Sequence, residues 1–196
     1  MASAAALRLV VATGNPGKLA EFRELLAAAD VELSALDPPV EEDADSYAGN
    51  ATLKAEAACR ASGRPALGDD SGLEVAALDG FPGLHSARVA ATQTERTHML
   101  LGRLAGVPRP WRARFVCALA LAAPGATTRM FMGTRTGEIV TPKDAGFGFG
   151  YDPVFLVPEA GLTFAEMEPA MKHRWSHRGA AVQALIDSGV LQTLSR

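Results

Sequence analysis

The chain opens on a strand, a tight turn and a helix, and that order limits it to a few architectures. Leu7 to Ala12 (LRLVVA) is a short apolar run without polar alternation, the pattern of a strand buried on both faces. A turn spans Thr13 to Gly17, and then Leu19, Phe22, Leu25, Leu26 and Ala29 recur at helical spacing. A strand covered on both sides and followed at once by a helix belongs to a sheet with helices packed on it. Val31 to Leu36 reads as a second strand, closed by Pro38 and Pro39. Ser46 caps a helix predicted to run to about Ser62, with Gly63 as its stop. Asp69-Asp70-Ser71-Gly72 reads as a turn-like cluster, and Leu73 to Leu78 as a separate apolar piece. Thr94 to Leu104 is predicted helical. Arg112 to Ala123 and Thr127 to Arg135 flank Pro124-Gly125 and read as an antiparallel strand pair. Gly146 to Asp152 is Gly-rich and precedes strand-like Pro153 to Val157. Thr163 and Glu166 have capping-box spacing, and the last helix is predicted from about Ser176 to Ser188 with Val182, Leu185 and Ile186 inward. The expected class is α/β, a mixed central β-sheet flanked by helices, in a single domain over 1–196.

Composition narrows the function. A chain of 196 residues, 48% hydrophobic and 21% charged, buries a core and is not disordered. A formal net charge of −3 argues against a general nucleic-acid binder, which carries a basic footprint. The longest apolar run, Phe115 to Ala123, is far short of the roughly 18 residues of a membrane span. Ala2 to Ala6 has no basic region before it, so no signal peptide is expected there. Cys59 and Cys117 are too few for a disulfide framework or a cysteine zinc site. They read as buried reduced thiols, and the protein as cytoplasmic.

Four constellations carry chemistry. Thr13-Gly14-Asn15-Pro16-Gly17-Lys18 joins the buried strand to the first helix. Asn15 suits the N-cap, Pro16 the first helical position, and the glycines admit a ligand close to the backbone. Lys18 in the first turn opposes the helix dipole, which an anion such as phosphate would offset. The glycine spacing is too short for a Walker A loop, and Leu19 stands where Ser or Thr would hold magnesium. The alternative is an ordinary turn with a solvated lysine. Next, Glu41, Glu42, Asp43 and Asp45 crowd one loop and Asp69-Asp70 another, and carboxylates from two loops suit magnesium with phosphate oxygens. The acidic run alone also reads as a solvated loop. Gly146-Phe147-Gly148-Phe149-Gly150-Tyr151-Asp152-Pro153 suits a flat base laid on a ring, or a Gly-kinked strand whose rings belong to the core. Lys172 and Ser176-His177-Arg178 place positive groups at the start of the last helix, calling for an anion or a carbonyl acceptor, or forming a solvated basic cap. Together they describe a nucleoside triphosphate site.

These motifs resemble the inosine triphosphate pyrophosphatase family. TGNPGK at Thr13, EED at Glu41, NATLKA at Asn50, DDSGLEV at Asp69, PGLHSAR at Pro82, FGYDPVF at Phe149 and SHRG at Ser176 occur in the family's order over nearly the whole chain. The resemblance implies two lobes with an active-site cleft between them, a homodimer, and hydrolysis of ITP, dITP and XTP to the monophosphate and pyrophosphate with Mg2+. It implies that Thr13, Gly14, Asn15, Pro16, Gly17 and Lys18 bind the triphosphate, and that Glu41 and Asp70 hold the metal. Asp70 would also accept the proton of the attacking water. Ser71, Phe149, Gly150, Tyr151, Asp152, Lys172, His177 and Arg178 would contact substrate. Gly49 departs from the family's usual Glu, which would complete a capping box with Ser46. Trp175 is bulkier than expected, either core or pocket rim. Rival readings are a pyrophosphatase for modified pyrimidine nucleotides, a nucleotide-binding regulatory module without catalysis, and a P-loop phosphohydrolase.

Overall fold

A computed structural model describes residues 6–143 and 146–195; the stretch Ala2 to Ala5 of the alanine-rich start lies outside them. The strands are β1 (Leu7–Ala12), β2 (Val31–Leu36), β3 (Ala66–Val75), β4 (Trp111–Ala122), β5 (Arg129–Ile139), β6 (Phe155–Val157) and β7 (Leu162–Thr163). The helices are α1 (Pro16–Leu25), α2 (Tyr47–Ser62), α3 (Gln93–Leu104), α4 (Pro169–Trp175), α5 (His177–Asp187) and α6 (Val190–Leu194). The sheet order is β2-β1-β3-β4-β5-β6-β7. β1 is parallel to β2 and β3, with Val10 opposite Ala66 and Ala12 opposite Gly68. β6 is antiparallel to β5 and β7. The sheet is therefore mixed, as expected for the α/β class. Among the described residues no helix is long and apolar enough to cross a membrane.

Local signals set several boundaries. Ser46 caps α2 by accepting the Gly49 N–H at 3.2 Å, and Gly63 ends the helix at φ 65°. Thr92 and Glu95 form a capping box on α3, which starts one residue before the expected Thr94. Thr163 and Glu166 form theirs on a single 3-10 turn, Phe164–Glu166. One expectation is overturned: Asp69-Asp70-Ser71-Gly72 is no turn but the middle of β3. Asp and Gly disfavour strands intrinsically, yet here cations wait on both faces and tertiary contacts override the preference.

The chain divides into two compact units. The first holds the residues up to Asp70, Cys117–Gly133 and the chain from Arg178 onward. β1, β3 and β4 are covered on both sides here, and the period of two sorts their side chains. Leu9 and Val11 of β1, Leu67 of β3 and Cys117, Leu119 and Leu121 of β4 meet Phe22, Leu26, Val182 and Leu185. Val10, Ala12, Ala66, Ala118, Ala120 and Ala122 face the other way, against Ala51, Ala55, Ala58 and Cys59 of α2. This second layer is almost wholly alanine, so α2 sits very close to the strands. A Cβ on Gly68 would fall 2.2 Å from the Ala51 carbonyl oxygen and 2.6 Å from the Ala55 nitrogen. Both cysteines are buried and free, and burial pushes the Cys59 thiol up.

The second unit comprises Ser71–Val116 and Thr134–His177. Leu73, Val75, Leu100, Leu104, Ile139, Val154 and Met167 build its core around three rings. Phe115 lies 4.7 Å from Phe155 and 5.9 Å from Phe164, centroid to centroid. Trp175 packs against this core, and the Arg135 guanidinium lies 5.1 Å over its ring.

Candidate active site

The first unit gathers its charges around β3. Successive residues of a strand point to opposite faces, so Asp69 follows Leu67 toward α1 and α5, while Asp70 follows Gly68 toward α2. Asp69 is 2% exposed. Its Oδ2 accepts from Arg178 Nε at 2.9 Å and from the Cys117 thiol at 3.3 Å; its Oδ1 accepts from Arg178 Nη2 at 3.3 Å. Lys18 Nζ also donates to Oδ1. The other arm of Arg178 donates to Glu21 Oε2 on α1 at 2.5 Å. Burial alone would raise the Asp69 pKa, but the charges and hydrogen bonds of Arg178 and Lys18 override it and hold the carboxyl well below its ordinary range. Burial likewise opposes the charge on Arg178, and Asp69 and Glu21 more than compensate, raising its pKa. The anion that cations at two helix starts call for is thus present within the fold.

The turn before α1 has the expected caps. Asn15 Oδ1 accepts from Gly17 N at 2.8 Å and Lys18 N at 3.2 Å, and Pro16 holds the first helical position. Two amides of this helix start are therefore engaged by Asn15 itself. Thr13 Oγ1 accepts from Asn15 N at 3.1 Å. A Cβ on Gly14 would lie 2.3 Å from Oδ2 of the exposed Asp37, which would have to turn aside. Gly14, Asn15 and Pro16 are exposed, and Thr13, Gly17 and Lys18 are half-buried.

Asp70 meets different partners. Asn50 Nδ2 donates to its Oδ2 at 3.1 Å, and Lys54 Nζ lies 3.3 Å from its Oδ1. These are i and i+4 on α2, one turn apart on the face that packs against β3. Asn50 is fully buried, and its Oδ1 accepts the Ala44 N–H at 3.1 Å, tying the acidic loop to the helix. Lys54 also reaches Glu42 Oε1 at 3.1 Å and the Asp69 carbonyl oxygen at 3.1 Å. Burial raises the Asp70 pKa, against the opposing pull of Lys54 and Asn50. Adjacent carboxyls are thereby driven apart, the arrangement by which proteins assign acid and base roles. Glu41 is exposed; the glutamate brought toward Asp70 is Glu42. Among the described residues no group of three His, Cys, Asp or Glu side chains stands ready for a metal. The ammonium of Lys54 instead sits among two carboxylates and a carbonyl.

Sequence reasoning gives no role to Asn50, Lys54 or Glu21, and it names Glu42 only within the acidic run. The signal for the first two lies in NATLKA: two polar side chains four apart on a helix otherwise faced with alanine.

The second unit has its own polar cluster. Asp152 Oδ2 accepts from Lys172 Nζ at 2.6 Å and Phe149 N at 2.7 Å. A Cβ on Gly148 would lie 2.2 Å from that same oxygen, and Gly148 has φ 78°, so the loop requires glycine there. Lys172 Nζ lies 4.8 Å from the Phe149 ring centre, a cation on the face of a half-buried ring. Gly150 N donates to Gln93 Oε1 at 2.8 Å, and Tyr151 OH to the Ser86 carbonyl at 3.2 Å. Burial pushes the Tyr151 hydroxyl up to about 12. The buried His177 ring stacks on Phe115 at 4.6 Å and 8°. Ser71 is half-buried on β3, and Ser176 is buried just before α5. His177 and Arg178, neighbours in sequence, close the second unit and open the last stretch of the first.

The model of the Ham1 family matches residues 9–188. The chain is 48% identical over 182 residues to a dITP/XTP pyrophosphatase of Nostoc, covering 91% of this chain and 92% of that protein. It is 47% identical over 193 residues to a dITP/XTP pyrophosphatase of Thermus thermophilus, covering 93% and 91%. Among solved structures, a HAM1 protein from Coxiella burnetii superposes with a TM-score of 0.83 at 38% identity, over 95% of this chain and 99% of that one. The Ham1 protein of Staphylococcus aureus gives 0.82 at 36% identity, with the same coverage.

Proposed function

The chain belongs to the Ham1 family, and from that premise we propose that it hydrolyses ITP, dITP and XTP to the nucleoside monophosphate and pyrophosphate. The observation that carries the chemistry is the pair Asp69 and Asp70. One carboxylate is locked in ionised form by Arg178 and Lys18; the other is buried with a raised pKa and a shared lysine.

Asp70 is the base. It orients water toward the α phosphorus and takes its proton, a role typically worth about 10²–10⁴-fold. Asn50 keeps the carboxylate aimed by donating to its Oδ2. Thr13, Gly14, Asn15, Pro16, Gly17 and Lys18 receive the triphosphate. Ser71, Phe149, Gly150, Tyr151, Asp152, Lys172, His177 and Arg178 serve the nucleoside. Within that group Phe149 offers a ring face, and Asp152 holds Lys172 and the loop in place. Arg178 acts mainly by fixing Asp69, since its guanidinium is shared between Asp69 and Glu21.

The donor set around Lys54 fits magnesium, a hard cation that takes carboxylate and carbonyl oxygens. Asp70 and Glu42 would hold it, with Glu41 one residue away in the same loop. Bound there, magnesium supplies charge neutralisation for the phosphate oxygens.

Hypoxanthine and xanthine carry an acceptor oxygen at C6 where adenine carries an amino donor. A donor from His177 pairs with the first and is left unpaired by the second; sites of this kind discriminate by about 10⁴–10⁵. The two free cysteines and the acidic net charge support action in the cytoplasm and away from nucleic acid. The family resemblance supports a homodimer. Incubation with ITP and magnesium, followed by identification of the phosphate released, tests the reading. Pyrophosphate with IMP is expected; orthophosphate, or equal turnover of ITP and ATP, refutes it.

A further inference from the structure

Lys54 occupies the place that a divalent ion would take. Its Nζ is 3.1 Å from Glu42 Oε1, 3.3 Å from Asp70 Oδ1 and 3.1 Å from the Asp69 carbonyl oxygen. An ammonium has three donor hydrogens, so these three oxygens match its capacity. Without it, Glu42 and Asp70 would lose the ammonium that they share; the side chains are 31% and 9% exposed, where water screens only in part.

The same geometry excludes joint occupancy. Magnesium binds oxygen at about 2.0–2.1 Å, so carboxylates drawn onto it leave no room for an ammonium among the same atoms. Asp70 cannot turn to serve both cations, because Asn50 pins its other oxygen and is itself pinned by the Ala44 N–H. Lys54 is the movable member, a charge on a flexible four-carbon stem.

We infer that Lys54 is an internal counter-ion that a divalent metal must displace. It holds Glu42 and Asp70 together in the free enzyme and yields when a polyphosphate offers its ammonium another anion. Metal and nucleotide then strengthen each other's binding, since each bears part of the displacement that the other needs. The inference rests on the assignment of Glu42 and Asp70 as metal carboxylates.

The test is Mn2+ binding to the enzyme without nucleotide, read by loss of the free-ion electron spin resonance signal. Lys54→Met removes the charge and keeps the length; it should bind Mn2+ about tenfold more tightly than the unaltered enzyme. Lys54→Arg keeps the charge and should bind as weakly as the unaltered enzyme. Adding Glu42→Gln to Lys54→Met should abolish the gain. A Met variant that binds no more tightly, while Asp70→Asn still abolishes binding, overturns the counter-ion and leaves the metal assignment standing. No Mn2+ bound by any variant overturns both. Should Lys54→Met fail to fold, nitrogen-edited NMR of the unaltered enzyme decides: Mg2+ must shift the Lys54 ammonium resonance, and an unmoved resonance sinks the inference.

Discussion

On one face of β3, Asp69 meets two cations and a thiol, all of them held by further contacts. On the other, Asp70 meets one amide and a lysine that it shares with Glu42. The residue type is the same, the backbone positions are consecutive and both are buried. The difference comes from what the strand's alternation turns each toward. Asp69 faces α1 and α5, whose first turns carry Lys18 and Arg178, and its charge is fixed. Asp70 faces the alanine-rich side of α2, from which Lys54 reaches it, and its charge is adjustable. A catalytic carboxyl needs that second kind of surrounding, and a fold needs the first kind close by to anchor it.

The sharpest way to break this contrast is to neutralise each aspartate in turn. Asp70→Asn should lower kcat by about 10²–10⁴-fold or more, with ITP still bound and no loss of melting temperature. Asp69→Asn should do the reverse in emphasis. It removes the charge that faces Nε and Nη2 of the buried Arg178, a loss of about 3–5 kcal/mol of folding stability in urea titration. Equal stability losses in the two variants would erase the distinction. A smaller effect comes from Gly68→Ala, whose new methyl must push Ala51 and Ala55 backbone aside. It should cost about 1–3 kcal/mol and also lower kcat, because α2 carries Asn50 and Lys54 to Asp70. Unchanged stability in the Gly68→Ala variant would show that α2 is not seated directly on β3.

The finest test is pH. Asp69 has a folded pKa below its ordinary 3.8, so its stabilisation is present above that value and is lost as pH falls through the lower folded one. Asp70 is raised above 3.8, so its ionised form costs stability at neutral pH, and acid relieves that cost as its carboxyl protonates. In the metal-free protein, stability should therefore rise on acidification above the ordinary aspartate range, and the fold should persist below it. In Asp70→Asn the gain in stability on mild acidification should vanish; its persistence would point to another group.

Much of the frame was legible in the chain itself. β1, β2 and α2 stand where apolar runs, Ser46 and Gly63 put them, because those signals are local. The stretch around Asp69 was not legible in the same way. A run of Asp, Asp, Ser and Gly has turn chemistry, and only distant contacts, its place in the sheet between β1 and β4 and Arg178 from 109 residues away, hold it as a strand. The site shows the same division. Motif positions marked Lys18, Asp70, Asp152 and Lys172, yet Glu42 and Glu41 are indistinguishable until the loop is folded onto Asn50. The Asp152 carboxylate likewise proves to organise its own glycine loop, a role visible only in three dimensions.

The alanine layer between α2 and the strands has a consequence for how this protein can vary. Ala51, Ala55, Ala58, Ala66, Ala118, Ala120 and Ala122 already carry the smallest side chain that still has a Cβ. Random substitution there moves either to glycine, which weakens a helix or strand by roughly 0.5–1 kcal/mol, or to something too large for the gap. Genetic drift along that seam is closed in both directions. A chain of this design must find its variation elsewhere, leaving the helix seat untouched.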